Sequence, residues 1–310
     1  MTLINKKMSV NRSHPTFKSR SWQGLGLLLV SAAALTFQIN LTRLFSVSQF
    51  YHFAFMAVSI ALLGMGASGT FLATRTFKPG QVEEKITPWL ALGSSASMLV
   101  SYLLVNHLPF DAFSIFVDPI QILILLLHYA ALASPFFFSG MLVSILLRTY
   151  SGASGEVYAV NLVGSALGCL LAVIAPRWLG AEGMVALSAA VAALVGVCFI
   201  QSTPTRSWKR STALPGTISA ILGLAAILLA AQIALGHIPH WFQLHISPYK
   251  SISYALQNPQ AEVLSTRWNS ISKIEVVSSP SLHSVPGLSY RYLEPLPRID
   301  GLFVDGENLS

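Results

Sequence analysis

The sequence predicts an α-helical integral membrane protein with about seven transmembrane helices, followed by a small β-rich C-terminal module. Three observations carry that prediction. Of 310 residues, 53% are hydrophobic and only 10% charged, against roughly 25% charged in an ordinary soluble domain. The mean hydropathy is +0.62, and apolar runs of the ~20 residues needed to cross a bilayer recur along the chain. From His237 onward the composition changes: Pro, Ser, Asn, Gln and Tyr rise, and no further run is long enough to span.

Residues 1–21 form a basic tail containing Lys6, Lys7, Arg12, Lys18 and Arg20. The first apolar run covers 22–45. Ala32-Ala33-Ala34 offers small residues of the kind cut after a signal peptide, yet apolar character runs on through Leu35, Phe37, Ile39 and Leu41, as in a retained span. Further spans are expected at 52–75, 87–107, 119–148, 157–176, 183–201 and 215–236, so that the helical domain covers 22–236. The fourth contains Pro135, which predicts either a kinked or tilted helix or a span followed by an interfacial turn. Pro88, Pro109, Pro119, Pro176 and Pro215 fall at or near run ends, where a missing N–H does least harm.

Charge is unevenly placed. Residues 1–236 hold 14 Lys/Arg and 6 Asp/Glu, while 237–310 hold 5 and 6. The basic balance thus belongs to the helical part and implies a lipid bilayer rather than nucleic acid as partner. With the amino end cytoplasmic, inside segments carry 12 Lys/Arg and outside segments only Arg43 and Arg177. That bias orients the chain across a cell membrane of the bacterial inner type, and seven spans then place 237–310 outside. The two cysteines, Cys169 and Cys198, lie in apolar runs and read as small buried hydrophobes without a disulfide framework.

In the 237–310 module a short helix is expected from Tyr249 to Leu256. Strands are expected at 261–265, 273–279, 288–293 and 301–306, separated by Ser279-Pro280 and Pro286-Gly287 turns. So small a sheet has little core of its own, so the module reads as incomplete.

Residues 64–69, GMGASG, reproduce the glycine spacing of a dinucleotide-binding turn. Such a turn needs a strand before it, a helix after it and an acidic residue about 20 positions on. Here FAFMAVSIALL precedes and TFLAT follows, which makes one continuous uncharged span. The glycines instead give a surface on which a second helix can approach closely. Gly64, Gly66 and Gly69 are therefore expected at helix contacts, as are Gly164 and Gly168 of GSALG; a small-ligand cavity between those helices is the other reading.

Polar groups in the apolar runs are few. Arg43, His52, His128 and Asn161 allow two readings: separate interhelical hydrogen bonds, with Arg43 reaching the interface, or one polar pocket for a ligand. No Asp or Glu is expected in mid-span, which leaves His128 to carry any proton relay. His237, His240 and His245 lack Cys and carboxylate partners, and Pro239 disrupts the helix that would align them, so no metal site is expected. Trp241 and Phe242 read as an interfacial aromatic anchor.

Several ordered strings, LTRLFSVSQFYHFAFMAVSIALLGMGASG (41–69), SPFFFSGMLVS (134–144), VYAVNLVGSALGCLL (157–171), ISPYKSISYALQNPQAEVLSTRWNSISKIEVV (246–277), PGLSY (286–290) and LFVDG (302–306), resemble the spermidine synthase-like membrane proteins. The resemblance covers nearly all of 23–310. It implies a multi-span region ahead of a small β part and a Rossmann-like transferase domain, with an S-adenosylmethionine-type cosubstrate bound by a glycine-rich turn downstream. No residue of 1–310 matches that turn, so no cofactor and no catalytic residue is expected within this chain. A transferase domain or subunit is the implied partner. Asp305 resembles the aspartate of the family's Asp-Gly turn and carries a structural role. The family's cosubstrate is expected in the cytoplasm, in conflict with the outside placement that charge assigns to 237–310. A small-solute transporter or channel built on the polar pocket is the alternative.

Overall fold

The computed structural model describes residues 21–75, 82–108, 110–111, 113–201, 210–279, 289, 291–292 and 299–308. Among these, seven helices are long and apolar enough to cross a membrane. They are α1 (Ser21–Ser48), α2 (Tyr51–Thr74), α3 (Val82–His107), α4 (Ile120–Thr149), α5 (Ser154–Ile174), α6 (Pro176–Gln201) and α7 (Arg210–Ala234). Each coincides with an expected span. Several begin earlier than their apolar run, because the backbone ladder continues through polar first turns that hydropathy leaves out. Pro135 lies inside α4, which continues through it as one helix. Ser139 Oγ donates to the Pro135 carbonyl at 2.8 Å.

The helices alternate in direction. The carboxyl ends of α1 and α3 meet the amino ends of α2 and α4 at one end of the bundle, where residues 236–250 also lie. Ser247 N–H donates to the Ser48 carbonyl at 2.7 Å, and Tyr102 OH donates to the Phe242 carbonyl at 2.8 Å. Arg75 and Arg148 close α2 and α4 at the other end. Of the twelve basic residues counted above, the five before Ser21, Lys78, Arg206 and Lys209 lie outside the described residues. The core falls into two clusters. One, around Phe37, Phe45, Leu132 and Phe136, sits toward residues 236–250. The other, around Leu27, Leu142, Tyr150 and Phe199, sits toward the opposite end.

Past α7 the chain makes a 3₁₀ turn at His240–Phe242, then α8 (Ser251–Ala255). Three antiparallel strands follow, β1 (Glu262–Trp268), β2 (Lys273–Ser278) and β3 (Asp300–Val304), with a two-residue β4 (Glu307–Asn308), in the order β1-β2-β3-β4. Of the expected strand at 288–293, residues 288, 290 and 293 lie outside the described residues, and Ser289, Arg291 and Tyr292 are not in a strand. Asp305 and Gly306 join β3 to β4 with φ of 52° and 77°, the positive pair that a tight type I′ hairpin requires. Asp305 Oδ1 accepts from the Lys273 amide at 2.8 Å, so this aspartate shapes the sheet. The aromatic pair at the bundle end divides its roles. Trp241 is exposed, whereas Phe242 is fully buried against Tyr102, with ring centroids 4.8 Å apart. Cys198 is buried, but Cys169 is exposed on α5, contrary to its reading as a buried hydrophobe, because it faces away from α1.

α6 is broken near its start. Gly180 has φ 60° and ψ −175°, a region essentially restricted to glycine. A Cβ there would lie 2.8 Å from Trp268 Nε1 and 3.2 Å from Glu182 Oε2. Gly180→Ala is therefore expected to cost roughly 1–3 kcal/mol, seen as a lowered Tm in detergent. Gly155→Ala, where a Cβ meets nothing within 4 Å, is the control and is expected to leave the Tm unchanged or slightly raised.

Candidate functional site

At the 236–250 end, α1, α2, α3 and α4 splay around a cavity of about 530 Å³. Leu41 and Phe45 of α1, Phe53 of α2, Tyr102 of α3 and His128 of α4 line it, and residues 244–249 form its roof. A largely apolar hollow with a few convergent polar groups is the usual form of a small-molecule site.

The roof is held by the last turns of α3. Tyr102 and Asn106 fall on one helix face by their spacing of four residues, and His107 ends the helix beside them. Tyr102 holds Phe242, Asn106 Nδ2 donates to the Gln243 carbonyl at 2.8 Å, and His107 Nε2 pairs with the Trp241 carbonyl at 2.8 Å. Asn106 Oδ1 in turn accepts from the His245 amide at 2.9 Å. A carbonyl can only accept, so His107 carries its proton on Nε2.

The α3–α4 loop supplies one wall. Asp111 organises it: Oδ1 accepts from the Phe113 amide at 2.9 Å, and Oδ2 from the Ser114 hydroxyl at 2.6 Å and the Tyr249 hydroxyl at 3.1 Å. The Ser114 hydroxyl, then the Phe113 amide, hold the Asp111 carboxyl below its ordinary value, while the bond to Asp111 raises that of Tyr249. Asp111 therefore keeps its charge down to a pH below the usual 3.8, and the tie from loop to roof is lost only in stronger acid. Asp118 Oδ1 accepts from the Ile120 amide at 3.1 Å, at the amino end of α4 where an acid is favoured.

Arg43, His52, His128 and Asn161, read either as one pocket or as separate interhelical bonds, are not brought together. Only His128 lines the cavity; it is 5% exposed, and its Nδ1 donates to the Ile124 carbonyl at 2.8 Å. His52 is exposed at the start of α2 and stacks on Phe50, with centroids 5.7 Å apart. Arg43 and Asn161 lie in the seam between α1 and α5. Ser31 Oγ donates to Asn161 Oδ1 at 2.8 Å, Thr36 Oγ1 to the Gly168 carbonyl at 3.1 Å, and Arg43 to the Ala172 carbonyl. Asn161 of α5 thus makes an interhelical bond to Ser31 of α1, and Arg43 of α1 bonds across the same seam to α5; neither lines the cavity.

The glycines divide similarly. A Cβ on Gly64 would strike the Ala133 carbonyl of α4, and one on Gly164 or Gly168 the Leu28 or Ala32 carbonyl of α1. Gly66 and Gly69 meet nothing within 4 Å, so their assignment to a helix contact is corrected. Only positions three or four apart share a face, and the partner of Gly64 on that face is Ser68, which packs on Gly140.

A second buried polar group escaped the reading of the sequence. Glu182, 3% exposed, sits just past the break in α6. Trp268 Nε1 lies beside Gly180, and Asn40 Nδ2 donates to the Ala181 carbonyl at 2.8 Å. Glu275 pairs with Lys273 at 3.0 Å nearby in β2. Among the described residues, Glu182 Oε2, Glu275 Oε2 and Asn40 Oδ1 are buried without a hydrogen-bond partner. The sixth span had been started at 183, which left Glu182 as a flank. The flanking glycines of GAEG were the available signal, since a glycine before a buried acid allows a break in the helix. Among the described residues no three His, Cys, Asp or Glu side chains are grouped to hold a metal ion. Compared with known proteins, the chain matches no family model, no curated protein and no solved structure.

Proposed function

We propose that this chain is the membrane-embedded region of a spermidine synthase-like protein, with its amino end cytoplasmic and the cavity under residues 244–249 as a small-molecule site. The position of that cavity carries the reading. Its roof is the segment that leads from α7 into α8 and the sheet, so a ligand bound there touches both the bundle and the module. Outward-facing apolar side chains such as Phe55, Leu62 and Ile221, 73%, 65% and 69% exposed, support a lipid surroundings for the helices. The excess of Lys and Arg in the segments counted as inside, with Arg75 and Arg148 at the end opposite the module, supports the orientation.

Four measurements test this. The chain should stay in the pellet when membranes are washed at high pH; release would overturn membrane insertion. A carboxyl-terminal alkaline phosphatase fusion should be active, and an inactive one would overturn the orientation. Native mass spectrometry of the gently solubilised chain should detect a co-purifying small molecule that is lost in Leu125→Trp, which fills the cavity wall. Retention in that variant would remove the cavity as the site. An S-adenosylmethionine analogue titrated into the chain should give no heat of binding; saturable binding would favour transferase activity in this chain.

Solute transport is the second reading, and the observation favouring it is Glu182 beside a broken helix, since buried acids and discontinuous helices recur in transport sites. In proteoliposomes it predicts uptake of some member of a panel of small solutes, lost in Glu182→Gln. Uptake insensitive to that change and to His128→Ala would count against it.

A further inference from the structure

The cavity wall is electrically one-sided. Among the described residues that line it, Asp111 is the one carboxylate, and no lysine or arginine is present. Lys250 does not line the cavity, but its Nζ lies 5.6 Å from the centroid of the Phe50 ring. That ammonium is committed elsewhere: it donates to the carbonyls of Ser46 and Asp305, each at 2.9 Å, and pairs with Glu307 at 3.3 Å. A carboxylate has about four acceptor positions. Asp111 uses three, on the Phe113 amide and the Ser114 and Tyr249 hydroxyls, so one remains for a ligand.

Aromatic rings surround that carboxylate. Phe113 meets Tyr249 edge to face with centroids 4.8 Å apart, and Phe50 meets Phe113 at 6.3 Å and 86°. Rings set at such angles present negative faces in different directions around one corner, an arrangement that attracts a cation. His128 also lies in the wall, its Nδ1 proton held by the Ile124 carbonyl. The remainder of the wall, including Leu41, Leu44, Met56 and Leu132, is apolar.

An anion would find no lysine or arginine in this cavity, only the histidines His107, His128 and His245 beside the Asp111 carboxylate. A neutral apolar ligand would leave the remaining acceptor position of Asp111 unused. We propose that the cavity takes an organic cation with an apolar body, an ammonium group on an aromatic or short alkyl frame, its charge between Asp111 and the Phe50–Phe113–Tyr249 corner. This assignment rests on the cavity being a ligand site, as proposed above.

A charge series tests it. The whole chain in lipid nanodiscs is titrated with phenethylammonium, phenethyl alcohol and phenylacetate, which share one frame. The ammonium is expected to bind about tenfold more tightly than the alcohol, and phenylacetate most weakly. Asp111→Asn should bring the ammonium down to the level of the alcohol, and Leu125→Trp should abolish binding of all three. Asparagine at 111 gives up acceptors for Ser114 and Tyr249, so the series on the unaltered chain decides independently of that variant. Equal binding of ammonium and alcohol, both lost in Leu125→Trp, would overturn the cation and leave the cavity as a site. Binding that survives Leu125→Trp, or no binding by any of the three, would overturn the cavity reading itself.

Discussion

Valine at Gly164 or Gly168 is expected to destabilise the helix bundle by about 3 kcal/mol, the upper end of ordinary overpacking. The reason lies in what the new side chain would meet. On both glycines even a Cβ falls against a backbone carbonyl of α1, Leu28 at one and Ala32 at the other. A side-chain neighbour can change rotamer, but a helical carbonyl moves only with its helix. The seam would have to open, and the bonds from Ser31 to Asn161 and from Thr36 to the Gly168 carbonyl would go with it. Gly64→Val should behave alike, since its Cβ meets the Ala133 carbonyl and Phe136. Alanine at Gly66 or Gly69 faces open space and should instead gain up to about 1 kcal/mol of helix propensity. Thermal unfolding in detergent separates the two groups. If Gly164→Val and Gly66→Val shift the Tm equally, the assignment of close-packed and open faces is wrong.

Lys250→Met is the second large effect, a loss of about 3 kcal/mol concentrated at the junction between bundle and module. Lys250 is 2% exposed, and its Nζ is the shared donor that joins the end of α1, through the Ser46 carbonyl, to the β3–β4 turn, through the Asp305 carbonyl. Methionine keeps most of the apolar stem, so the change isolates the lost donor, and both carbonyls are left without it. The ion pair with Glu307 contributes little by comparison, because that carboxylate is 48% exposed and water can replace its partner. Glu307→Gln should therefore shift stability by less than about 1 kcal/mol. Limited proteolysis across 237–250, with thermal unfolding alongside, reads both variants. Comparable sensitivity in the two would mean that the exposed ion pair, rather than the bonds to the carbonyls, holds the module.

The candidate site was legible only in fragments. His128 was singled out from the sequence because a histidine in an apolar run is conspicuous, and it does line the cavity. Arg43 and Asn161 were singled out on the same ground and lie instead in the α1–α5 seam. Asp111 and Tyr249, which give the cavity its charged corner, stand 138 residues apart, each in a loop where a polar residue is unremarkable. No local signal joins them. Glu182 was passed over because hydropathy places a helix boundary at the last apolar residue, while the backbone of α6 runs past it through the break at Gly180.

Seven apolar segments, the change of composition at His237 and the Asp-Gly turn of the sheet could all be settled from residues near one another in the chain. Hydropathy, charge and turn chemistry are local quantities, and they fix where helices lie and which ends gather. Rotation of each helix about its axis could not be settled that way. A helix that is apolar around its whole circumference carries no stripe to say which side meets a neighbour. Contacts between side chains distant in sequence set that rotation. They decided that Gly64 packs while Gly66 does not, and that Asp111 and Tyr249 meet over a cavity.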